Sequence, residues 1–219
     1  MPIFISATGT DVGKTLFSAL ILARYGHKLQ LQYLKPVQTG PDADRVTVQQ
    51  LSGLSNGFFR SEMLSFPLAA SPHWAAEQAK TNIDTGMLRR ELAALRSAPI
   101  IIELAGGVMV PLSRRFTNLD LMREVGFPTI LVAATGLGTI NHTLLSLQAL
   151  KTAGVACVGV FFVGTDNPLF ADNARTVCEM GSVEYLGEFF LDGKKLTPAE
   201  FQSRAAAFDV AGKIRELFA

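Results

Sequence analysis

Short, continuously apolar segments alternate along this chain with longer segments in which apolar residues recur at helical spacing. The apolar segments lack the in–out alternation of a half-buried strand, which indicates strands buried on both faces. Such strands are typical of a parallel sheet that is covered by helices. The predicted strands occupy residues 2–6, 30–35, 99–103, 128–134, 155–163 and 183–187.

The segments between these strands predict helices, and the alternation favours a doubly wound α/β fold with helices on both faces of a mainly parallel sheet. Ligands of such sheets bind outside the carboxyl ends of the strands. The 219 residues are enough for one substantial core, so we expect a single domain over residues 1–219. Residues 36–41 and 52–72 contain several prolines and glycines and are predicted as loops. Helices are predicted at residues 14–25, 42–52, 72–80, 84–97, 118–125, 139–152 and 168–180, and again from about Pro198.

A glycine-containing turn joins the first predicted strand to the first predicted helix. Its sequence, Thr10-Asp11-Val12-Gly13-Lys14-Thr15, is typical of a phosphate loop, whose backbone N–H groups converge on a polyphosphate at a helix N-terminus. In such a loop the lysine reaches the outer phosphates and the threonine hydroxyl ligates Mg²⁺. The usual pattern has glycine where Thr8 stands, and counting from Ala7 makes the loop one residue longer. An ordinary turn is the alternative, but the flanking strand and helix favour a nucleotide site.

Two charged residues at the ends of other predicted strands should lie at the same edge of the sheet. Lys35 ends the second strand, interpreted as an interior strand, and a second cation near Lys14 is what phosphoryl transfer needs. Glu103 follows four apolar residues, where a carboxylate is costly unless it is paired or binds a metal. A solvated lysine and a turn-capping carboxylate are the alternatives. Asp44 means little alone, and Asp42 fits the role of helix cap better.

Charge and composition narrow the range of partners. The formal net charge is +1 and no run of like charges occurs, so we expect no binding to nucleic acid or to a membrane. The longest apolar stretches, such as 155–163, are too short to span a bilayer. Cys157 and Cys178 are expected to be buried thiols outside any disulfide framework. Because the phosphate loop begins so close to Met1, we expect no signal peptide and a cytoplasmic location.

Further motifs occur in an order that resembles the dethiobiotin synthetases, the ATP-dependent carboxylating cyclases of biotin synthesis. Together they cover most of residues 3–145 and are far more specific than the phosphate loop alone. The resemblance implies a P-loop NTPase-like fold. Besides the phosphate loop, the matching segments are Lys35-Pro36-Val37, Thr39-Gly40, Asp44, Ser71-Pro72-His73, Glu103, Ala105-Gly106-Gly107, Pro111-Leu112 and Leu137-Gly138 with Ile140-Asn141-His142.

The resemblance also implies a reaction and its participants. One amine of 7,8-diaminopelargonate captures CO₂ as a carbamate, the carbamate attacks the γ-phosphate of ATP, and the second amine closes a ureido ring. The implied cofactor is Mg²⁺, and the implied assembly is a homodimer with the substrate near the subunit interface. By resemblance, Lys14 and Lys35 are catalytic, and Thr15, Asp44 and Glu103 hold the metal.

The binding residues implied by the resemblance form two sets that overlap. The residues of the Thr10–Thr15 segment bind ATP. Asn141 belongs to residues 138–142, which help to hold the carboxylate tail of the diamine. The full nucleotide set is Thr10, Asp11, Val12, Gly13, Lys14 and Thr15, and the substrate set is Thr10, Asp11, Lys35, Thr39, Gly106 and Asn141.

The chain departs from the family pattern in several places. Ala7 replaces the first loop glycine, and Leu104 replaces a glycine after the acidic residue. Residues 163–167 lack the Asn-Asp pair that reads adenine in the family, and residues 187–190 lack its Gly-x-Ile-Pro, so we expect a looser preference for ATP over other triphosphates. Two other functions remain open: a related dimeric P-loop switch ATPase, and a catalytically silent nucleotide-binding regulator.

Overall fold

The centre of the molecule is a parallel sheet. The computed structural model describes residues 1–41, 43–191, 193 and 196–218. All five neighbouring strand pairs of its six-stranded sheet are parallel. In chain order, the strands of the described residues are β1 (Ile3–Ala7), β2 (Gln32–Leu34), β3 (Val37–Thr39), β4 (Leu64–Phe66), β5 (Ile100–Glu103), β6 (Pro111–Ser113), β7 (Phe116–Thr117), β8 (Thr129–Ala134), β9 (Cys157–Gly164) and β10 (Tyr185–Phe190).

The order of strands across the large sheet is β10–β9–β8–β1–β5–β2. From β1 the chain first builds one side of the sheet, with β2 and β5, and then the other, with β8, β9 and β10. The winding direction therefore reverses at β1, and the loop that leaves the carboxyl end of this strand lies at the topological switch point, where ligands bind in such sheets. The prediction of a doubly wound, mainly parallel sheet is confirmed.

Helices cover both faces of this sheet because alternate strand residues point to opposite sides. In β1, Phe4 joins the apolar cluster under α3 to α7, whereas Ile3 and Ile5 join the cluster under α1, α2, α8 and α9. These helices are α1 (Lys14–Leu29), α2 (Asp44–Ser52), α3 (Pro72–Gln78), α4 (Thr85–Ala93), α5 (Asn118–Val125), α6 (Thr139–Thr152), α7 (Phe170–Gly181), α8 (Pro198–Ala206) and α9 (Lys213–Glu216).

The C-terminal segment, to which the sequence assigned no role, closes one face of the sheet. Phe201 and Ile214 are fully buried in the same cluster as α1. The ring of Phe208 meets Phe17 of α1 and Phe161 of β9 edge-on, at centroid distances of 6.3 and 5.5 Å. The tail therefore packs directly on the helix that follows the phosphate loop.

Two predictions about the chain near Lys35 were wrong. The strand before Lys35, β2, is an edge strand of the sheet and not an interior one. Its outer side is partly covered by the chain near Phe59, which bridges to Tyr33. Residues 36–41 and 52–72 are also more than loops, because β3 and β4 pair there as a small parallel sheet.

Most other elements lie within a few residues of their predicted bounds. The helix predicted from residue 42 begins at Asp44, and Asp42, its predicted cap, lies outside the described residues. Cys157 and Cys178 are free but half-buried rather than buried. Among the helices of the described residues, none has the length and apolar character that crossing a bilayer requires.

Candidate active site at the carboxyl edge of the sheet

The phosphate loop runs from β1 into α1 with glycine at its tightest point. Gly13 has φ of 99°, and a Cβ there would collide with the side chain of Val163. Asp11 is exposed and has φ of 57°, a conformation that aspartate tolerates better than most residues. No acidic residue lies in the first turn of α1, so the positive end of this helix is available to an anion.

Lys14 lies folded back over this loop. Its Nζ donates a hydrogen bond to the backbone carbonyl of Gly9 at 3.2 Å, and the residue is only 6% exposed. The pKa of Lys14 is lowered to about 8, chiefly by burial and also by the nearby Lys35, against the opposing effects of Glu103 and Asp11. A bound polyphosphate would stabilise the charged ammonium, so this lysine is suited to contact an anion.

Glu103 is fully buried at the end of β5, and four side chains contact its two oxygens. Oε1 accepts a hydrogen bond from Thr15 Oγ1 at 2.9 Å and lies 3.7 Å from the ammonium of Lys35. Oε2 accepts from Ser18 Oγ at 2.7 Å and from Tyr33 Oη at 3.1 Å. The carboxylate is therefore compensated by hydrogen bonds and a cation, as a buried charge must be.

Asp44 lies opposite Glu103, at the first residue of α2. The hydroxyl of Thr15 lies 3.2 Å from Asp44 Oδ1, and the ammonium of Lys35 pairs with the other carboxylate oxygen. A hydroxyl has one proton, so it cannot donate fully to both carboxylates at once. Three oxygen groups thus converge at one point, and they are the donor types that bind Mg²⁺.

Lys35 follows β2 and lies between these two carboxylates. It is 6% exposed, and burial lowers its pKa, while the charge of Glu103 and its hydrogen bond oppose that shift. The structure therefore brings together the two predicted catalytic lysines and the three predicted metal ligands.

A cavity of about 730 Å³ opens beside this cluster. Gly106 forms part of the cavity wall and has φ of 66°. A Cβ added there would lie 2.7 Å from Val110 Cγ2, so a side chain at this position would collide with Val110. Of the predicted nucleotide and substrate residues, those lining the cavity are Thr10, Asp11, Gly13, Lys14, Thr15, Lys35, Thr39 and Gly106.

Asn141 is the predicted substrate residue that lies apart from the others. It is exposed in the first turn of α6 and does not line the cavity formed by the described residues. The next residue, His142, lines a separate depression of about 450 Å³ that shares Thr10 and Val110 with the cavity. Neither Thr139 nor Asn141 caps α6, because Gly138 is the N-cap and Thr139 Oγ1 donates to the carbonyl of Ala134 at 2.6 Å.

Three polar residues of the site were not singled out in the sequence. Ser18 and Tyr33 contact Glu103, and Gln38 lines the cavity. The sequence contained a signal for the first two. Ser18 is a polar residue in an apolar stretch, three positions after Thr15 and therefore on the same face of the helix. Tyr33 lies two positions before Lys35 and therefore on the same face of the strand. Burial and the charge of Glu103 raise the pKa of Tyr33 well above its usual value, so its hydroxyl stays a donor.

The carboxyl end of β9 lies next to the loop, since Val163 packs against Gly13. A side chain at Gly164 would collide with Thr135, whose hydroxyl donates to the carbonyl of Thr165 at 2.8 Å. The amide of Asn167 donates to that same carbonyl at 3.1 Å. The hydroxyl of Thr135 and the amide of Asn167 are thus both engaged with the backbone near this strand end.

A phosphate loop at the switch point of a parallel sheet, next to a lysine and two carboxylates, defines a P-loop nucleotide-binding protein. The family described as AAA domain matches residues 2–190. The ATP-dependent dethiobiotin synthetase BioD of Leptospira interrogans is 44% identical over 219 residues, with 99% of each chain covered. That of Nitrobacter hamburgensis is 41% identical over 187 residues, 84% of each chain. The chain belongs to the dethiobiotin synthetase family of ATP-dependent ligases in biotin biosynthesis, which confirms the resemblance.

Solved structures support the fold. MinD of Pyrococcus horikoshii, solved with Mg-ADP, has a TM-score of 0.61 at 14% identity, covering 100% of this chain and 99% of its own. A ParA family ATPase of Chlorobium tepidum has a TM-score of 0.60 at 10% identity, covering 97% of both chains. Likenesses at this identity show the fold alone. The family assignment disfavours the two alternatives, a switch ATPase and a silent regulator.

Proposed function

We propose that this site carboxylates 7,8-diaminopelargonate with CO₂ and closes a ureido ring at the expense of ATP. The observation that carries the proposal is the convergence of Lys35, Asp44 and Glu103 on Thr15 of the phosphate loop, beside an open cavity. This arrangement offers positive charge and hard oxygen ligands at one terminal phosphate, together with space for a second substrate. Its described residues include no activated serine or cysteine nucleophile, and none is needed because the substrate amines are themselves nucleophiles.

The bond changes define what the residues must do. One amine attacks CO₂ and loses a proton, giving a carbamate. A carbamate oxygen attacks the γ-phosphorus, the bond to the β-phosphate breaks, and ADP leaves. The second amine then attacks the carbonyl carbon and loses a proton, the C–O bond to phosphate breaks, and inorganic phosphate leaves as the ring closes. In the transition state of phosphoryl transfer, negative charge is spread over the oxygens of the transferring phosphoryl group, next to the carbamate. Positive charge placed there accelerates the reaction.

Lys14 and Lys35 supply that charge in the proposed mechanism. Lys14 leaves the carbonyl of Gly9 for the outer phosphates of ATP, and Lys35 contacts the γ-phosphoryl group and the carbamate. The backbone N–H groups of the phosphate loop, from Asp11 to Thr15, hold the phosphates at the N-terminus of α1, with Thr10 and Val12 shaping the loop. Positioning and charge are the contributions that phosphoryl transfer requires of a protein.

Mg²⁺ is the proposed cofactor, and the donor set fits it. The ligands would be the hydroxyl of Thr15 and the carboxylates of Asp44 and Glu103, since Mg²⁺ in such enzymes takes one or two carboxylates together with substrate phosphates. Bound there, the ion would neutralise charge on the β- and γ-phosphates. The buried Glu103 supports this assignment, because a carboxylate with no exposure is retained where it has a cation to bind.

The diamine is proposed to lie in the cavity against Thr10, Thr39 and Gly106. The exposed carboxylate of Asp11 would attract its amino groups. The volume of about 730 Å³ is in the usual range for a small-molecule site.

A homodimer is proposed to complete the substrate site. Three large apolar side chains are exposed on this subunit, Leu137 at 95%, Met109 at 58% and Leu145 at 63%, which is unusual for a protein without a partner. Met109 and Leu145 line the depression next to Thr10. A partner that covers this surface would bring Asn141 from α6 toward the carboxylate tail of the diamine, which explains why this residue lies apart from the cavity of its own subunit.

Two further inferences concern the domain organisation and the place where the protein acts. We infer that residues 1–219 act as one domain, because the C-terminal Phe208 packs on the helix of the phosphate loop. We also infer a cytoplasmic site of action, because the reaction consumes ATP.

The experiment that tests the function is coupled ADP release in bicarbonate buffer, with and without the diamine, and with mass detection of the cyclised product. We expect ADP and the product to form in equal amounts, and only when both the diamine and CO₂ are supplied. ADP release without the diamine would identify a switch ATPase instead. Nucleotide binding without turnover would identify a regulator.

A further inference from the structure

The two oxygens of Glu103 have different surroundings. Oε1 faces the site, where it meets the hydroxyl of Thr15 and the ammonium of Lys35. Oε2 faces the interior, where it accepts hydrogen bonds from Ser18 at 2.7 Å and from Tyr33 at 3.1 Å. Because two donors occupy Oε2, one oxygen of this carboxylate is presented to the site.

Both donors are fixed by the fold. Ser18 lies in α1, one turn after Thr15, and is 0% exposed. Tyr33 lies in β2, whose neighbour β5 ends in Glu103, and is also 0% exposed. Neither side chain lines the cavity, so neither is placed to touch ATP or the diamine. Any effect of these hydroxyls on the reaction must therefore pass through Glu103.

We propose that Ser18 and Tyr33 are positioning residues that hold Glu103 with Oε2 occupied and Oε1 turned toward the site, so that it binds the nucleotide-associated metal through a single oxygen. The inference rests on the proposed function, in which Glu103 is a metal ligand. Groups that orient a ligand in this way commonly change metal affinity by about 10- to 100-fold when removed.

Single-oxygen binding has a consequence for the choice of metal. Ca²⁺ is larger and often takes both oxygens of a carboxylate, whereas Mg²⁺ demands a compact octahedral set. A carboxylate whose second oxygen is held by Ser18 and Tyr33 favours Mg²⁺. Removing one donor leaves Oε2 held by a single hydrogen bond, so the carboxylate can rotate more easily, and Mg²⁺ binding should weaken more than Ca²⁺ binding.

The test measures how strongly metal and nucleotide binding are coupled in the full chain. The affinity for a non-hydrolysable ATP analogue is determined by calorimetry in EDTA, in Mg²⁺ and in Ca²⁺. For Tyr33→Phe and Ser18→Ala we expect the gain in affinity on adding Mg²⁺ to fall about 10-fold or more, with a smaller fall in Ca²⁺ and unchanged affinity in EDTA. Tyr25→Phe is the matched control, because that hydroxyl donates to Asp209 at 2.7 Å, away from the site.

Each other outcome is decisive. The positioning role is wrong if both variants keep the wild-type ratio of nucleotide affinity in Mg²⁺ to nucleotide affinity in EDTA. It is also wrong if both lose affinity equally in EDTA, Mg²⁺ and Ca²⁺, which would show that the hydroxyls are merely structural. Glu103→Gln separates this failure from that of the proposed function: a Glu103→Gln protein that retains the full Mg²⁺ gain shows that Glu103 is not a metal ligand. Should Tyr33→Phe not fold, as judged by its melting curve, Ser18→Ala decides the question alone.

Discussion

Lys35 and Asp44 form an ion pair across the mouth of the site, and the same ammonium lies 3.7 Å from Oε1 of Glu103. The lysine side chain is 7% exposed and that of Asp44 is 29% exposed, so water screens this pair only in part. In the protein without nucleotide, a single lysine thus offsets part of the negative charge of the two carboxylates that are proposed to bind Mg²⁺. Metal and lysine must therefore compete for the same charges.

Replacing Lys35 with methionine should strengthen metal binding to the nucleotide-free protein. Removing one partner of a poorly solvated ion pair leaves uncompensated charge on Asp44 and Glu103, which a divalent cation relieves. We expect Mn²⁺, measured by electron paramagnetic resonance without nucleotide, to bind at least about 10-fold more tightly to Lys35→Met than to wild type. Lys151→Met, a change at an exposed lysine of α6, is the control. Equal Mn²⁺ affinity in all three proteins would show that the lysine and the metal do not compete.

Removing either lysine should abolish turnover while the fold persists. Lys14→Ala and Lys35→Ala each remove a cation from the region where charge develops, and losing a single preorganised contact of this kind costs about 100-fold or more in kcat. Coupled ADP release measures the rate, and circular dichroism checks the fold. Lys151→Ala should behave as wild type. A variant at Lys14 or Lys35 with near-native turnover would exclude that lysine from the mechanism.

Sequence alone was sufficient to predict a parallel sheet and to bring most of the candidate site residues to one edge of it, for a physical reason. Strands buried on both faces carry unbroken apolar runs, and polar residues that end such runs have to meet at one edge of a parallel sheet. That logic predicts that Lys14 and Glu103 lie close together. The resemblance to a family added Asp44, which local sequence could not distinguish from a helix cap.

The features that escaped prediction depend on contacts distant in sequence. The place of β2 at the sheet edge is decided by which strands pair, and its apolar pattern does not reveal that. Ser18 and Tyr33 looked like core residues because they are buried, and their partner, Glu103, lies 85 and 70 positions away. Asn141 is the opposite case, since its proposed role requires a second subunit.

The pH dependence should differ between kcat and kcat/KM for ATP. Burial sets the pKa of Lys14 to about 8 in the free protein, so the ammonium is charged below pH 8 and is lost above it. Because kcat/KM reports groups of the free enzyme, kcat/KM for ATP should fall above about pH 8. Bound phosphates raise the pKa of Lys14, so kcat at saturating ATP should not fall in that range.

The same kcat profile tests amine attack. The diamine reacts only when deprotonated, so kcat should rise into mildly alkaline pH. Initial rates from pH 6 to 9 at saturating and at limiting ATP separate the two effects. A flat kcat over this range would count against amine attack as the limiting step, and a constant kcat/KM for ATP across pH 8 would contradict the role given to Lys14.

Nucleotide selectivity should be weak. Gly164 has no room for a side chain because Thr135 fills that space, and the amide of Asn167 is engaged with the carbonyl of Thr165. With these two described positions unavailable to the edge of the base, discrimination rests on shape and on backbone contacts, which reject wrong bases poorly. We expect kcat/KM for ATP, CTP and GTP to agree within about 10-fold. A preference for ATP of several hundredfold would reject this prediction.

Truncating Phe208 should destabilise the whole protein. Its ring is 8% exposed and contacts Phe17 of α1 and Phe161 of β9, so Phe208→Ala leaves a cavity between the tail and the helix of the phosphate loop. Such a change costs about 3–5 kcal/mol. Urea unfolding, followed by circular dichroism and by tryptophan fluorescence, measures the loss.

The control for this prediction is two residues away. Val210 is 84% exposed, so Val210→Ala should alter the free energy of unfolding by less than about 0.5 kcal/mol. If residues 1–219 are one domain, both probes should report a single transition that shifts together in Phe208→Ala. A separate early transition of the tail, with the main transition unmoved, would mean that the C-terminal segment is an independent unit and does not support the helix that carries Lys14 and Thr15.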